Sequence, residues 1–252
     1  MKRLLDAFRR KQPAAAPEAP TAPGVVVLTG AGISRASGLR TFRDSDGLWH
    51  DVPIWKVASP YGFETDPELV LRFYDERRRD AQAAPPNAAH MALAAFEKSW
   101  PGPFLLVTQN VDGLHEAAGC EDVLHVHGSL FRARCTACAW SGPQTGDMWP
   151  GDRACPACGA PKRPDVVWFG ENPQGVGEAL DAANAATIVA VVGCSLEVSP
   201  INKMPIAAWQ GARPSRVVEI NPNPTRHHAF TEVIAEAAEI GVPRFLKTLR
   251  AP

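Results

Sequence analysis

Neither sign of charge is in excess in this chain: 26 basic and 27 acidic side chains leave a formal net charge of −1. That balance removes the general electrostatic case for nucleic acid or a membrane surface as partner. No apolar run approaches the ~20 residues that a membrane-crossing helix requires. No internal repeat is present. A disulfide framework is not indicated either, because four of the six cysteines fall into two C-x-x-C pairs, the pattern of a metal site in a reducing compartment. The expectation is a cytoplasmic protein. At 252 residues there is enough chain for one large core, or for a large unit with a smaller one appended.

What is present begins at Val25–Val26–Val27–Leu28, an apolar run suited to a central parallel strand covered on both faces. It runs into Thr29–Gly30–Ala31–Gly32–Ile33–Ser34. Glycines there permit a tight turn and close approach of backbone N–H groups to phosphate. The dinucleotide fingerprint G-x-G-x-x-G is nevertheless incomplete, since Arg35 stands at its third glycine. Before this strand, residues 1–23 combine a short basic amphipathic stretch with an Ala/Pro-rich segment, which predicts a flexible extension carrying no chemistry.

Residues Ser37 to Trp49 fit no regular period and predict a long loop, in which Arg43 suits a phosphate and Phe42 a ring. Asp66–Pro67–Glu68 is a helix start, followed by apolar residues at helical spacing and by Tyr74 and Arg77 three apart on one face. A second helix is predicted over Asn87 to Lys98, with His90 structural. Strands are predicted at Phe104–Thr108, at Val123–Gly128, where His125 and His127 share a face, and at Ile188–Val192 and Arg216–Asn221. The first of these ends in Gln109–Asn110–Val111–Asp112, a polar cluster placed where open α/β sheets bind ligands. Gly193–Cys194–Ser195 repeats the strand-then-glycine arrangement.

Cys135-x-x-Cys138 and Cys155-x-x-Cys158, separated by sixteen residues, match an all-cysteine tetrahedral zinc ribbon with no position open for water, hence a structural metal. Cys120 and Cys194 lie outside the pattern. Val166–Glu171 leaves the ribbon as an extended apolar edge, suited either to strand addition by a peptide or simply to rejoining the core.

From about Gly24 onward the chain resembles the sirtuins, NAD-dependent protein deacylases. The resemblance rests on GAGIS–SG–TFR–GLW (Gly30 to Trp49), QNVDGLH (Gln109 to His115), HVHG (His125 to Gly128), the four cysteines, VVWFGE, and the late GCS and EIN segments, all in order. It implies an α/β fold: a Rossmann-like parallel sheet domain with a smaller zinc-ribbon and helical module, the helical part at about 40–98 and the ribbon at about 130–168, within a catalytic unit 24–252. It also implies NAD as co-substrate and one structural zinc per chain. His127 corresponds to the catalytic base, with Asn110 and Asp112 in the catalytic centre. Gly30, Ala31, Gly32, Ile33, Thr41, Phe42, Arg43, Trp49, Gln109, Val111, Gly193, Cys194, Ser195, Asn221 and Ala238 correspond to NAD contacts. Val167, Trp168, Phe169 and Gly170 correspond to the substrate strip. The implied chemistry is attack of the acyl-lysine amide oxygen on C1′ of the nicotinamide ribose, loss of nicotinamide, and proton transfer from a ribose hydroxyl to His127. The products are free lysine and O-acyl-ADP-ribose. Members with Tyr and Arg at the spacing of Tyr74 and Arg77 prefer succinyl- or malonyl-lysine, because Arg offers a carboxylate a bidentate fork and Tyr a hydroxyl donor. Deacetylation is expected alongside.

Two positions depart from the family pattern: Cys194 stands where threonine is usual, and Asp44 where a small residue is common. The expected partners are acyl-lysine proteins, with no nucleic acid and no membrane, and the chain is expected to be a monomer. The competing readings are an NAD-dependent protein mono-ADP-ribosyltransferase and a non-enzymatic zinc-ribbon binding module. A dehydrogenase is disfavoured by the broken fingerprint and the closed metal site. In the alternative reading of α-helical Arg77, it belongs to a solvated Arg77–Arg78–Arg79 charge run.

Overall fold

The computed structural model describes residues 22–39, 48–49, 52–211 and 215–249, with the side chains of Leu48 and Trp49 outside that description. The predicted extension at 1–23, apart from its last two residues, and the loop residues Thr41, Phe42, Arg43 and Asp44 lie outside the described residues. In chain order, β1 (Val25–Thr29) leads into a 3-10 segment (Ala31–Ser37). A small ribbon, β2 (Leu48–Trp49) and β3 (Val52–Pro53), precedes α1 (Ile54–Val57), α2 (Pro60–Thr65), α3 (Pro67–Ala83) and α4 (Ala88–Ser99). Then come β4 (Phe104–Thr108), α5 (Leu114–Ala118), β5 (Val123–His125), β6 (Gly128–Cys135), β7 (Ser141–Pro143) and β8 (Lys162–Val166). The chain returns through α6 (Val176–Ala185), β9 (Ile188–Val192), α7 (Met204–Trp209), β10 (Arg216–Ile220), β11 (Glu232–Ile234) and α8 (Ala238–Thr248).

The large sheet has the order β11-β10-β9-β1-β4-β5, and its pairings are parallel. All five residues of β1 are buried, as expected of a strand with helices on both faces. One face packs Ile33, Leu93, Phe96, Leu106 and Phe245 under α4 and α8. The other packs Leu28, Val107, Val189, Ala183 and Met204 under α6 and α7. A third apolar cluster, with Val57, Tyr74, Leu130 and Trp168, belongs to the smaller module. Among the described residues no helix is long and apolar enough to cross a membrane.

The helix signals hold. Asp66 caps α3 by accepting the Leu69 N–H at 3.0 Å, with Pro67 in the first turn. Asn87 caps α4 through the Ala89 N–H, and His90 Nδ1 accepts the Asn87 N–H at 3.3 Å, so the histidine takes the reciprocal place in a capping box. Two expectations need correction. The predicted strand Val123–Gly128 stops at His125, because Gly128 adopts φ +77 and turns the chain into β6. A Cβ at Gly128 would stand 2.0 Å from the Asp165 carbonyl oxygen. The solvated arginine run is solvated only in part: Arg79 is exposed and Arg77 half-buried, but Arg78 is 1% exposed, with Nε on the Leu130 carbonyl at 2.7 Å and Nη1 on Asp75 at 2.7 Å. Asp75 in turn accepts the Met148 and Trp149 N–H groups, which ties α3 to the loop of the ribbon.

The ribbon is the antiparallel sheet β7-β6-β8. Its cysteine sulfurs, from Cys135, Cys138, Cys155 and Cys158, all lie within 4.8 Å of one another. Cys135 and Cys158 are 3.5 Å apart, and Cys138 and Cys155 3.7 Å. A zinc–sulfur distance of ~2.3 Å gives a tetrahedron with edges of about 3.8 Å, so four thiolates so placed fit zinc. The Ala137 and Cys138 N–H groups point at Cys135 Sγ and favour its thiolate. Replacing Cys135 by Ser is expected to release the zinc and lower the melting temperature. Unchanged metal content by atomic absorption, with unchanged melting, would contradict the ribbon.

Candidate active site

Parallel register brings the strand ends level. Thr29 is opposite both Thr108 and Val192, and Val192 is opposite Ile220. The next residues, Gly30, Gln109, Gly193 and Asn221, therefore form a row along the carboxyl edge of the sheet. The chain winds outward from β1 through β4 to β5, and then restarts at β9 on the other side. The winding reverses between β1 and β9, the place where open α/β sheets take ligands. At that place the Gly30 N–H donates to the Val192 carbonyl and the Gly32 N–H to the Gly193 carbonyl, each at 3.0 Å. A Cβ at Gly30 would lie 2.8 Å from Cys194 Sγ, and one at Gly32 2.7 Å from Gly193 Cα. These glycines thus serve the packing of two turns, in addition to any phosphate. Gly193, at φ +59, is locked by the same contact. Ala31 and Ser195 border it half-buried, whereas the Ile33 side chain belongs to the core.

Cys194 is buried, its Sγ accepting from Gln109 Nε2 at 3.3 Å, and burial pushes its thiol up to about 12. It is a neutral spacer there. Asn221 Nδ2 donates to the Cys194 carbonyl, and its Oδ1 accepts the Asn223 N–H. Ala238 opens α8, with its side chain buried in the core.

Next to the row lies a connected polar cluster. Ser34 Oγ donates to Asp112 Oδ2 at 2.7 Å, and Asn110 Nδ2 reaches both Ser34 Oγ and the Gly30 carbonyl at 3.2 Å. Asp112 Oδ1 accepts the Leu114 N–H at 3.0 Å. Thr29 joins Thr108 and His115 beneath it. Ser34, Thr29 and His115 were not singled out from sequence, although Ser34 and His115 fall within the quoted motifs. Burial holds His115 down to about 3, so this histidine is a neutral hydrogen-bonding residue.

The two histidines of HVHG are electrically unlike. His125 places Nδ1 on the Asn110 carbonyl at 3.2 Å and Nε2 on Glu116 at 2.5 Å, two acceptors for one ring. Burial opposes charge on it, but the Glu116 carboxylate outweighs burial and raises its pKa. His127 places Nδ1 3.1 Å from the Gln109 carbonyl, which can only accept, so the proton resides on Nδ1 and the lone pair on Nε2. Among the described residues Nε2 has no hydrogen-bond partner. Burial lowers the His127 pKa, partly offset by that bond to Gln109. Of the two, His127 is the ring with an open lone pair, beside Gln109, Asn110 and Asp112.

On the facing side, α3 presents Tyr74 and Arg77. Tyr74 is buried, and Trp168 Nε1 donates to its oxygen at 2.9 Å. Burial pushes its phenol up to about 12. Arg77 is half-buried beside the Phe73 ring; burial lowers its pKa, while Tyr74 and Asp112 act against that. In the strip Val167–Gly170, the Trp168 ring is buried and Phe169 and Gly170 are exposed. The extended edge stops at Val166, and the Val167, Trp168 and Phe169 N–H groups are bound internally to His127 O, Glu171 Oε2 and Ala58 O. Strand addition is thereby limited to the remaining carbonyls and the Gly170 end. A cleft of about 330 Å³ lined by Phe63, Arg134, Arg163 and Trp168 adjoins this strip and includes none of His127, Asn110 or Asp112. Val111 packs half-buried against the Tyr74 cluster. Trp49 pairs with Val52 in the small ribbon, its side chain outside the described residues.

The comparisons agree with this geometry. The family model described as "Sir2 family" matches residues 30–200. An NAD-dependent protein deacylase of Escherichia coli strain K12 is 45% identical over 239 residues, 92% of this chain and 84% of its own. The deacylase of Bdellovibrio bacteriovorus is 45% identical over 228 residues, covering 88% of this chain and 94% of its own. Among solved structures, a Sir2 homologue in complex with NAD superposes with TM-score 0.82 at 36% identity, over 90% of this chain and 89% of that one. The chain belongs to the Sir2 family.

Proposed function

We infer that this protein removes acyl groups from protein lysines at the expense of NAD, releasing nicotinamide, O-acyl-ADP-ribose and free lysine. The observation that carries the reading is His127, a neutral imidazole whose Nδ1 is held by the Gln109 carbonyl and whose Nε2 lone pair is open. Relatives named NAD-dependent protein deacylase support it, as do a Sir2 homologue bound to NAD and another bound to a propionylated peptide. NAD, when bound, supplies an electrophilic ribose carbon with nicotinamide as its leaving group.

The chain's residues suit the remaining tasks. The carboxyl-edge row from Gly30 to Asn221 offers a cradle at the winding reversal, and Asn110, Asp112 and Ser34 form a hydrogen-bonded wall against which a ribose would be oriented. His127 Nε2 takes a proton from a ribose hydroxyl. The Nδ1–H bond to the Gln109 carbonyl stabilises the imidazolium so formed. Residues 24–252 act in this reading as one catalytic unit, with acyl-lysine proteins as partners and the NAD contacts assigned above. Mono-ADP-ribosyl transfer makes no use of a base aimed at the ribose hydroxyls, so His127 favours deacylation.

The finer reading concerns the acyl group. Arg77 is a partly desolvated cation next to the Tyr74 hydroxyl, and an acyl chain ending in a carboxylate would offset its burial through a bidentate pair. We assign succinyl- and malonyl-lysine as preferred substrates on this basis, with acetyl-lysine also accepted.

Three outcomes are expected. His127→Ala should cut turnover by about 10²-fold or more, while NAD binding by calorimetry persists; turnover near wild type would refute the assignment. His127 works as a neutral base with a pKa below its ordinary ~6.5. The rate should therefore hold as pH falls from 8 to roughly 6.5 and decline only below that, and a decline beginning above 7 would contradict it. Arg77→Met should lower kcat/KM for a succinyl peptide roughly ten- to a hundredfold more than for its acetyl counterpart. Equal losses on both peptides would return Arg77 to a structural role.

A further inference from the structure

A phenol carries one O–H donor and two acceptor lone pairs, whereas an indole has only an N–H to donate. The 2.9 Å contact between Trp168 Nε1 and Tyr74 Oη therefore runs in one direction, with the indole donating. Among the described residues this is the one hydrogen bond at Tyr74 Oη, so the phenolic proton is still available to a further acceptor. With one side of the oxygen occupied by a donor, the O–H turns to the other. Donation into the oxygen also polarises the O–H and makes it a stronger donor.

The indole is itself held on every side. Trp168 is 2% exposed, with Phe63 at 5.4 Å and Tyr74 at 6.3 Å between ring centroids. The Arg163 guanidinium lies 3.3 Å from the Trp168 ring centroid. Arg163 is fixed by two bonds to Glu171, at 2.6 and 3.0 Å, and one to the Val166 carbonyl at 2.7 Å. Glu171 closes the set by accepting the Trp168 backbone N–H at 2.9 Å. The side chain that sets the tyrosine rotor thus has little freedom of its own. Arg77 lies one helical turn along α3 from Tyr74, and the two interact electrostatically.

We propose that Trp168 is a positioning residue for acyl selectivity: its indole N–H holds the Tyr74 hydroxyl as a donor toward an acyl group that ends in a carboxylate, alongside Arg77. The proposal rests on the carboxylate-acyl reading given above. Its signature is selectivity. An acetyl group presents no acceptor at that depth, so loss of the indole N–H weighs more on the carboxylate-ended acyl chain.

The test compares matched succinyl- and acetyl-lysine peptides with the full-length wild type, Tyr74→Phe, Trp168→Phe and the double variant. A further protein carries β-(3-benzothienyl)alanine at position 168, which replaces N–H by sulfur in a ring of nearly the same shape. Melting and zinc content are followed for each, and the benzothienyl protein decides the matter should Trp168→Phe fold poorly. Both changes at 168 are expected to lower kcat/KM for the succinyl peptide about three- to tenfold more than for the acetyl peptide, chiefly through KM. Once Tyr74 is Phe, the change at 168 should move the selectivity ratio by less than about twofold. The proposal is overturned if the benzothienyl protein keeps wild-type selectivity, or if the effects at 74 and 168 add in full. If Tyr74→Phe and Arg77→Met shift selectivity while position 168 does not, it fails alone. If none of the three shifts selectivity, the carboxylate reading fails and the proposal goes with it.

Discussion

The site depends on the contact between two backbone turns. The turn after β1 and the turn after β9 touch through Gly30, Gly32 and Gly193, with no room for a Cβ at any of them. Each side chain excluded there lets the two strand ends stand level and close. That closeness aligns Gly30, Gln109, Gly193 and Asn221 in one row and places Cys194 under Gln109. An added methyl at Gly32 would meet backbone, which cannot move aside as a flexible side chain does. The broken third glycine of the fingerprint is consistent with this division of labour: the glycines that remain are the ones the turn-to-turn contact requires.

Around that contact the protein separates its titratable groups by what each nitrogen faces. His125 lies between a carbonyl and a carboxylate and is driven toward the charged form. His127, two residues on, meets a carbonyl on one side only and is kept neutral by burial. His90 and His115 pack ring to ring at 5.0 Å in the interior, with pKa values lowered to about 4 and about 3 by burial. The chain thus shifts its histidines in opposite directions, and His127 combines a tautomer fixed by the Gln109 carbonyl with an open Nε2 outside the fully buried interior.

The smaller module reaches the site through buried ionic bonds. Asp75 and Arg78 fasten α3 to the β6 backbone and to the ribbon loop, and Arg163 and Glu171 fasten β8 to the Trp168 segment. Buried pairs of this kind contribute little net stability but are costly to break. Their effect is to hold α3, and with it Tyr74 and Arg77, against β6 and the ribbon loop. The cysteine cluster sits at the Cys135 end of β6, the strand whose Leu130 carbonyl holds Arg78.

Much of this was legible in residue order. Apolar strands ending in glycine or amide residues, the Asp66–Pro67 and Asn87 helix starts, and the paired C-x-x-C motifs are local signals, set by backbone conformation and by ligand spacing along the chain. The family motifs carried His127 and the polar cluster with them. What the chain order could not express was which arginine of the run at 77–79 is buried, that Ser34 rather than solvent meets Asp112, and that the Trp168 indole bonds to Tyr74. Nor could it show that the strand through His125 stops short of His127, giving the two rings different partners. The first three are pairings between residues 50 or more positions apart, such as Arg78 with Leu130 and Tyr74 with Trp168, and the histidine partners lie 9 to 18 positions away. Sequence determined the strands, the helix starts and the metal ligands, because each depends on neighbours in the chain. Tertiary structure alone decided protonation, burial and the direction of each hydrogen bond, because those depend on which distant group desolvates a side chain or faces its lone pair.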